Sequence, residues 1–133
     1  MAAIEKFEDI KAWQKARVLC QEIHLISVST GLRTDYTLKD QINRSSGSSM
    51  DNIAEGFGRG SNTEFIRFLE ISHASVCECQ SQLYRILDRK YIDEDKFKLL
   101  YELASEVKKM VMAFMSYLSK STHQGLKFKL RET

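Results

Sequence analysis

Apolar residues recur along this chain at steps of three and four, the spacing that places side chains on one face of an α-helix. The first stripe consists of Trp13, Ala16, Cys20, Ile23 and Ile26. It predicts helix one over residues 10–27, and later stripes predict helix two over residues 37–57 and helix three over residues 62–90. Helix four, predicted over residues 94–119, has the most regular seam, made of Leu100, Leu103, Val107, Met110, Phe114 and Leu118.

The middle of helix two is polar and small, running from Asn43 to Ser49 with Gly47 inside it. Helix propensity alone would favour a loop here. We nevertheless predict one continuous helix, because the apolar residues on either side, from Ile42 to Ile53, stay in phase on one face. Small residues at such a place let a neighbouring helix approach closely.

The four predicted helices indicate an all-α chain folded as an antiparallel up-down four-helix bundle. The chain has no proline and only six glycines among 133 residues, and this composition favours long uninterrupted helices. Its length suits one domain, which we place at residues 1–120. Residues 121–133 form a basic C-terminal tail.

The connection between helices two and three is rich in glycine and begins the next helix with a capping signal. Gly56, Gly58 and Gly60 suit a helix end, because glycine enters left-handed backbone geometry without a Cβ penalty. Ser61 and Glu64 match a capping box, in which the serine hydroxyl accepts from the N–H of Glu64 and the carboxylate reaches back to the N–H of Ser61. We call residues 52–65 the glycine corner.

Asn52, Glu55 and Arg59 lie at helical spacing in this corner, and Glu55 precedes Arg59 by four residues, which favours an ion pair. A carboxylate beside an arginine lacks the second acid, the nucleophile with its base, or the metal cluster that catalysis requires. We therefore expect Asn52 and Glu55 to satisfy backbone groups near the corner or to bridge helices or subunits.

Other candidate chemistry is weaker still. The serines of helix two lack the strand-turn-helix context of a hydrolase nucleophile. His73 and Cys77 lie four residues apart, but two ligands do not complete a metal site. Cys77 and Cys79 are about 200° apart around a helix, so they are not expected to form a disulfide and are expected to be small buried hydrophobic residues. We expect no catalytic site, no metal and no cofactor.

The longest apolar run, from Met110 to Met115, is far shorter than the roughly 20 residues that span a membrane. The N-terminus carries Glu5, Glu8 and Asp9 where a secretory signal would be basic. A cytoplasmic protein that does not contact membranes is therefore expected.

The net charge is +2, and the excess of basic residues lies in the C-terminal tail region, at Lys120, Lys127, Lys129 and Arg131. Together with Arg44, Arg59 and Arg67 these residues are candidate contacts for nucleic acid or another partner. Acidic residues between the basic positions of helix three, such as Glu70 and Glu78, instead favour a mixed, solvated surface.

Several short motifs in this chain resemble one known family. They are Phe7-Glu8-Asp9, Trp13-Gln14-Lys15-Ala16, Gln41-Ile42-Asn43-Arg44, Asn52-Ile53-Ala54-Glu55-Gly56-Phe57-Gly58-Arg59, Glu64-Phe65 and Phe68-Leu69. From residue 7 to about residue 118 the chain resembles the four-helix-bundle family encoded in intervening sequences of 23S ribosomal RNA genes. The resemblance implies a homopentameric ring of four-helix bundles without established enzymatic activity. More distant relatives, which serve diversity-generating retroelements, bind a reverse transcriptase and nucleic acid through a basic surface.

Our leading hypothesis is a non-catalytic protein that associates with itself, as a pentamer by resemblance, and acts as a binding or scaffold module. A uniformly mixed surface would favour a protein partner. The alternative is an accessory protein that binds RNA or DNA through the arginines and the tail.

Overall fold

The computed structural model describes residues 4–121, and within that range the chain contains helices and no strand. A short 3-10 turn at Phe7–Asp9 precedes α1, Lys11–Ser29. A second 3-10 turn, Gly31–Thr34, leads into α2, Tyr36–Phe57. The two longest helices follow, α3 at Asn62–Asp88 and α4 at Glu94–Ser121. The predicted all-α class is confirmed.

The helices form an antiparallel bundle in which each packs against its neighbours in sequence and α1 also packs against α4. The bonds between α2 and α3 show the chain direction. Ser45 bonds to Gln82 at the far end of α3, whereas Ser49, further along α2, bonds to Ser72 nearer the start of α3. Residues later in one helix therefore meet residues earlier in the next, as the up-down topology requires.

One hydrophobic core runs along the centre of the bundle and takes residues from all four helices. Its fully buried side chains include Leu19, Ile23, Leu38, Ile42, Ile53, Leu69, Leu83, Ile86 and Leu100. On α4 the buried positions include Ala104 and Val111 besides Leu100 and Val107, while Leu103 and Met110 are only partly buried. The core face of α4 is therefore rotated slightly from the seam that the sequence predicts.

The polar middle of α2 is helical, as predicted, and its hydroxyls explain how it is buried. Ser46 Oγ donates to the carbonyl of Ile42 at 2.9 Å, and Ser49 Oγ donates to the carbonyl of Ser46 at 2.6 Å. Ser72 Oγ, from α3, donates to the carbonyl of Ser49 at 2.6 Å. Because the hydroxyls bond to backbone oxygens, small polar residues enter the interior without unpaired groups and α3 lies close to α2.

The helix ends differ from the predicted ones by one or two residues. Helix α2 begins at Tyr36, because Asp35 caps it by accepting from the N–H of Leu38 at 3.4 Å. Helix α3 ends at Asp88, two residues before the predicted end, and Lys90 takes a left-handed φ of 61°. Such a conformation terminates a helix.

The end of the bundle that holds the α1–α2 and α3–α4 connections is closed by polar contacts around Asp35. The carboxylate of Asp35 accepts from the Tyr91 hydroxyl at 2.9 Å and from the Arg89 guanidinium. These two bonds hold the pKa of Asp35 below its usual value, and the bond to Asp35 raises the pKa of Tyr91. Gly31 lies against the Tyr91 ring, so the two connections are fastened to each other.

Candidate functional site

The glycine corner ends α2 and begins α3, and its glycines have different tasks. Gly60 has a left-handed φ of 91°, the geometry expected for a glycine that redirects the chain. Gly58 caps α2 with right-handed helical angles, φ −75° and ψ −6°. Gly56 is a buried residue inside the last turn of α2. The helix ends at these glycines as predicted, and among the three only Gly60 takes the left-handed geometry that glycine permits.

Gly56 serves close packing between α2 and α3. A Cβ atom at this position would lie 2.8 Å from Phe65 Cδ1 and 2.8 Å from Phe68 Cβ, closer than carbon atoms approach one another. The two phenylalanines occupy the space that a side chain would need. Glycine at position 56 thus sets how near α3 comes to α2 just before the corner.

The start of α3 is capped by Ser61, whose Oγ accepts from the N–H of Glu64 at 3.2 Å. The Glu64 carboxylate lies 3.7 Å from the Arg67 guanidinium, one helical turn further on. This cap is the hydroxyl half of the arrangement that the sequence indicates. It fixes the backbone direction with which α3 leaves the corner.

Asn52 and Glu55 are engaged locally. Asn52 Nδ2 donates to the Ser48 carbonyl at 2.8 Å and to Ser48 Oγ at 2.9 Å, so it satisfies a backbone group one turn earlier in α2. Glu55 pairs with Arg59 at 3.4 Å on the surface. The Arg59 guanidinium also lies over the Phe68 ring, 4.8 Å from its centroid. These side chains brace the corner, and they do not converge on a common cavity.

The structure does not gather the predicted basic residues into one patch. Arg59 lies beside the carboxylate of Glu55, and Arg67 lies beside that of Glu64. Arg44 is about 20 Å from Arg59 along the axis of α2. Lys120 is exposed in the last turn of α4. Lys127, Lys129 and Arg131 lie outside the described residues.

A polar groove between α2 and α3 has a volume of about 510 Å³. We call it the α2–α3 groove; its lining residues are Gln41, Arg44, Ser45, Ser48, Glu78, Ser81, Gln82 and Arg85. Sequence reasoning considered Arg44 and the serines of helix two but missed the groove. The polar residues recur at helical spacing on each helix, but only the pairing of the two helices places them opposite each other.

A second feature that sequence reasoning missed lies on the outer face of α1. Val18, Leu25 and Val28 are exposed by 48%, 44% and 52%. Steps of seven and three residues place them on one helix face, opposite the core stripe. A shallow cavity of about 400 Å³ adjoins Val18 and is bordered by Trp13 and Arg17. We call Val18, Leu25 and Val28 the α1 stripe.

The three cysteines are free thiols in different surroundings. Cys79 is buried, Cys20 is partly buried and Cys77 is exposed, so the expectation of a buried residue at position 77 is wrong. Burial raises the pKa of Cys20 to about 11 and that of Cys79 to about 12, which keeps both as unreactive thiols.

Among residues 4–121, no group of three or more histidine, cysteine or acidic side chains is arranged to hold a metal ion. No helix in the same range combines the length and the apolar composition needed to cross a membrane.

Comparisons with known proteins concern both the sequence and the fold. The family model described as 23S rRNA-intervening sequence protein matches residues 8–113. A comparison with curated protein sequences finds no match. One similar solved structure is the crystal structure of a protein with unknown function from the S23 ribosomal protein family of Bacteroides thetaiotaomicron. It has a TM-score of 0.71 and 20% sequence identity, and the match covers 78% of this chain and 97% of that one. At this identity the similarity shows a shared fold.

Proposed function

Because the chain belongs to the 23S rRNA-intervening sequence protein family, we propose that it acts as a non-catalytic, oligomeric binding or scaffold protein of the cytoplasm. The polar side chains of the glycine corner support a structural role for this corner, since Asn52 is hydrogen-bonded to Ser48 and Glu55 forms an ion pair with Arg59. Neither has the partners that acid–base or nucleophilic chemistry requires.

The observation that carries the proposal is the α1 stripe. Three half-exposed aliphatic side chains on one helix face leave apolar surface in water, and covering that surface would stabilise an assembly by on the order of 1 kcal/mol for each residue. A closed ring requires a heterologous interface, in which a patch of one copy meets a different patch of the next. We propose that the α1 stripe is one of the two patches, and that five copies close the ring, as the family resemblance implies.

Multi-angle light scattering at micromolar concentration tests the assembly. We expect a mass of about 77 kDa, five times the 15.4 kDa of one chain. The double substitution Val18→Glu and Leu25→Glu should give a folded monomer, because it places charges on the stripe. Met112→Glu is the matched control, since Met112 is 51% exposed on α4 and lies outside the stripe.

Two outcomes would count against this assembly. A wild-type monomer would exclude self-association, and dissociation of the control alone would exclude the α1 stripe as the interface. Circular dichroism shows whether each variant keeps its helices.

Nucleic-acid binding is the second candidate, and the observation that favours it is the Arg44 guanidinium, which has no ion-pair partner among residues 4–121. Repetition around a ring would multiply this charge. Fluorescence anisotropy with single-stranded RNA and with duplex DNA should then show affinity that falls steeply with salt. Absence of binding at low salt would exclude this function.

A further inference from the structure

The α2–α3 groove has opposite charges at its two ends. Arg85 lies at one end beside Gln41, Glu78 lies near the other end with Ser48, and Arg44 lies between them on α2, three residues after Gln41 and four before Ser48. Glu78 and Arg85 are seven residues apart on α3, which corresponds to about 10 Å along the helix. A molecule that fits both ends needs an anionic group and, about that far away, groups that donate hydrogen bonds.

The cationic end has free donor capacity. Arg85 Nη1 donates to Gln41 Oε1 at 2.8 Å, and this bond orients the guanidinium while its other N–H groups remain available. Within residues 4–121, the side chain of Arg44 makes no hydrogen bond or ion pair. Two guanidinium groups on facing helices suit a phosphate group, whose oxygens accept bidentate hydrogen bonds.

The floor of the groove is polar and held in place. Ser45 and Gln82 are exposed by only 3% and 7%, and Ser45 Oγ donates to Gln82 Oε1 at 2.6 Å. This bond leaves the amide nitrogen of Gln82 as a donor. Among the described residues only Asn62 Oδ1 is a fully buried side-chain polar atom without a partner, so the Gln82 amide nitrogen keeps accessible surface in the groove.

We propose that the α2–α3 groove binds a nucleoside monophosphate, with the phosphate between Arg44 and Arg85 and the nucleoside extending towards Glu78. The Glu78 carboxylate repels a second anion, but it accepts from ribose hydroxyls and from amino groups of bases. Gln82 and Ser48 supply hydrogen bonds between the two ends. A volume of about 510 Å³ lies within the range of small-molecule sites.

The proposed ligand follows from the spacing of the groups. Inorganic phosphate satisfies the arginines alone, and a nucleoside satisfies only the other end, whereas a nucleoside monophosphate spans both. The site does not depend on the proposed scaffold function, because the α1 stripe is on another helix. Loss of self-association and loss of nucleotide binding are therefore separate results.

Isothermal titration calorimetry and ¹H–¹⁵N NMR with AMP, GMP, CMP and UMP test the site. We expect at least one of the four to shift the side-chain amide resonances of Gln82. It should bind at least about tenfold more tightly than either inorganic phosphate or its own nucleoside, since each of these lacks at least one charged contact that the nucleotide makes.

Substitutions separate the groove from general charge effects. Arg44→Gln should weaken nucleotide binding about tenfold and keep the fold, because within residues 4–121 the Arg44 side chain makes no hydrogen bond or ion pair that would be lost. Arg67→Gln is the matched control, a basic residue of α3 that lies beside Glu64 and outside the groove. Glu78→Gln should lower the preference for the nucleotide over inorganic phosphate.

Three results would overturn the site. They are no binding of any of the four nucleotides at millimolar concentration, equal loss of binding in Arg44→Gln and Arg67→Gln, and a change of oligomeric mass in Arg44→Gln. The last would identify the groove as a contact between copies.

Discussion

Two glycines of the same helix should respond in opposite ways to substitution by alanine. Gly47 lies in the polar middle of α2, and a Cβ atom there would meet no atom within 4 Å. Gly56 lies nine residues later, where a Cβ atom would approach Phe65 and Phe68 to 2.8 Å. The helix propensity gained is similar at the two sites, so the difference between the variants measures the contact with α3.

The magnitudes follow from two effects of opposite sign. Replacing glycine by alanine inside a helix stabilises it by about 0.5–1 kcal/mol, and nothing opposes this gain at Gly47. At Gly56 the added methyl overpacks the α2–α3 contact, which costs about 1–3 kcal/mol. The cost is near the upper end because one of the atoms that must move is the Cβ of Phe68, which cannot move without the backbone of α3.

Urea unfolding followed by circular dichroism at one fixed protomer concentration measures both variants, since assembly makes apparent stability depend on concentration. Gly47→Ala should raise the free energy of unfolding and Gly56→Ala should lower it. Equal changes in the two variants, or a more stable Gly56→Ala protein, would refute the argument that glycine 56 permits the close approach of α3. Light scattering on each variant keeps changes in assembly separate from changes in folding.

Three further predictions concern the helix cap, the thiols and the closed end of the bundle. Ser61→Ala should lower the free energy of unfolding by about 1 kcal/mol in the same urea assay. Ser61→Asp can still cap α3, so its free energy of unfolding should stay close to that of the wild type. Iodoacetamide at pH 8 should label Cys77 in the native protein and leave Cys79 unmodified, as peptide mass spectrometry would reveal; equal labelling would contradict the burial of Cys79. Asp35 has a lowered pKa in the folded state, so its contribution to stability is present above its ordinary pKa of 3.8 and is lost as the pH falls through the folded-state value. The stability difference between wild type and Asp35→Asn should therefore be greater at pH 7 than in acid, and a difference independent of pH would count against the contact with Tyr91.

Much of the fold was accessible from local patterns. The stripes of apolar residues predicted all four helices, because helical periodicity is set by the chain itself. The same reasoning correctly extended α2 through its serines, where propensity alone would have placed a loop. Exact helix ends were less accessible, since the side-chain cap of Asp35 and the left-handed backbone of Lys90 are features that apolar spacing does not report.

The glycine corner illustrates how far local reasoning reaches at a site. The cap at Ser61 is a contact between residues three apart, and its sequence signal was sufficient. The task of Gly56 was not accessible, because it depends on phenylalanines of the next helix. Sequence reasoning treated the glycines as equivalent, whereas the packing of α3 distinguishes them.

By itself the sequence determined the helices, the cap at Ser61 and the family, because these depend on residues close together in the chain or on a recognisable order of motifs. Only the tertiary structure decided that Arg44 lies in a groove with Arg85 and Glu78, and that the α1 stripe lies on an outer face of the bundle. The physical reason is that the register and rotation of packed helices result from close packing across the whole core. No single segment of the sequence specifies that packing.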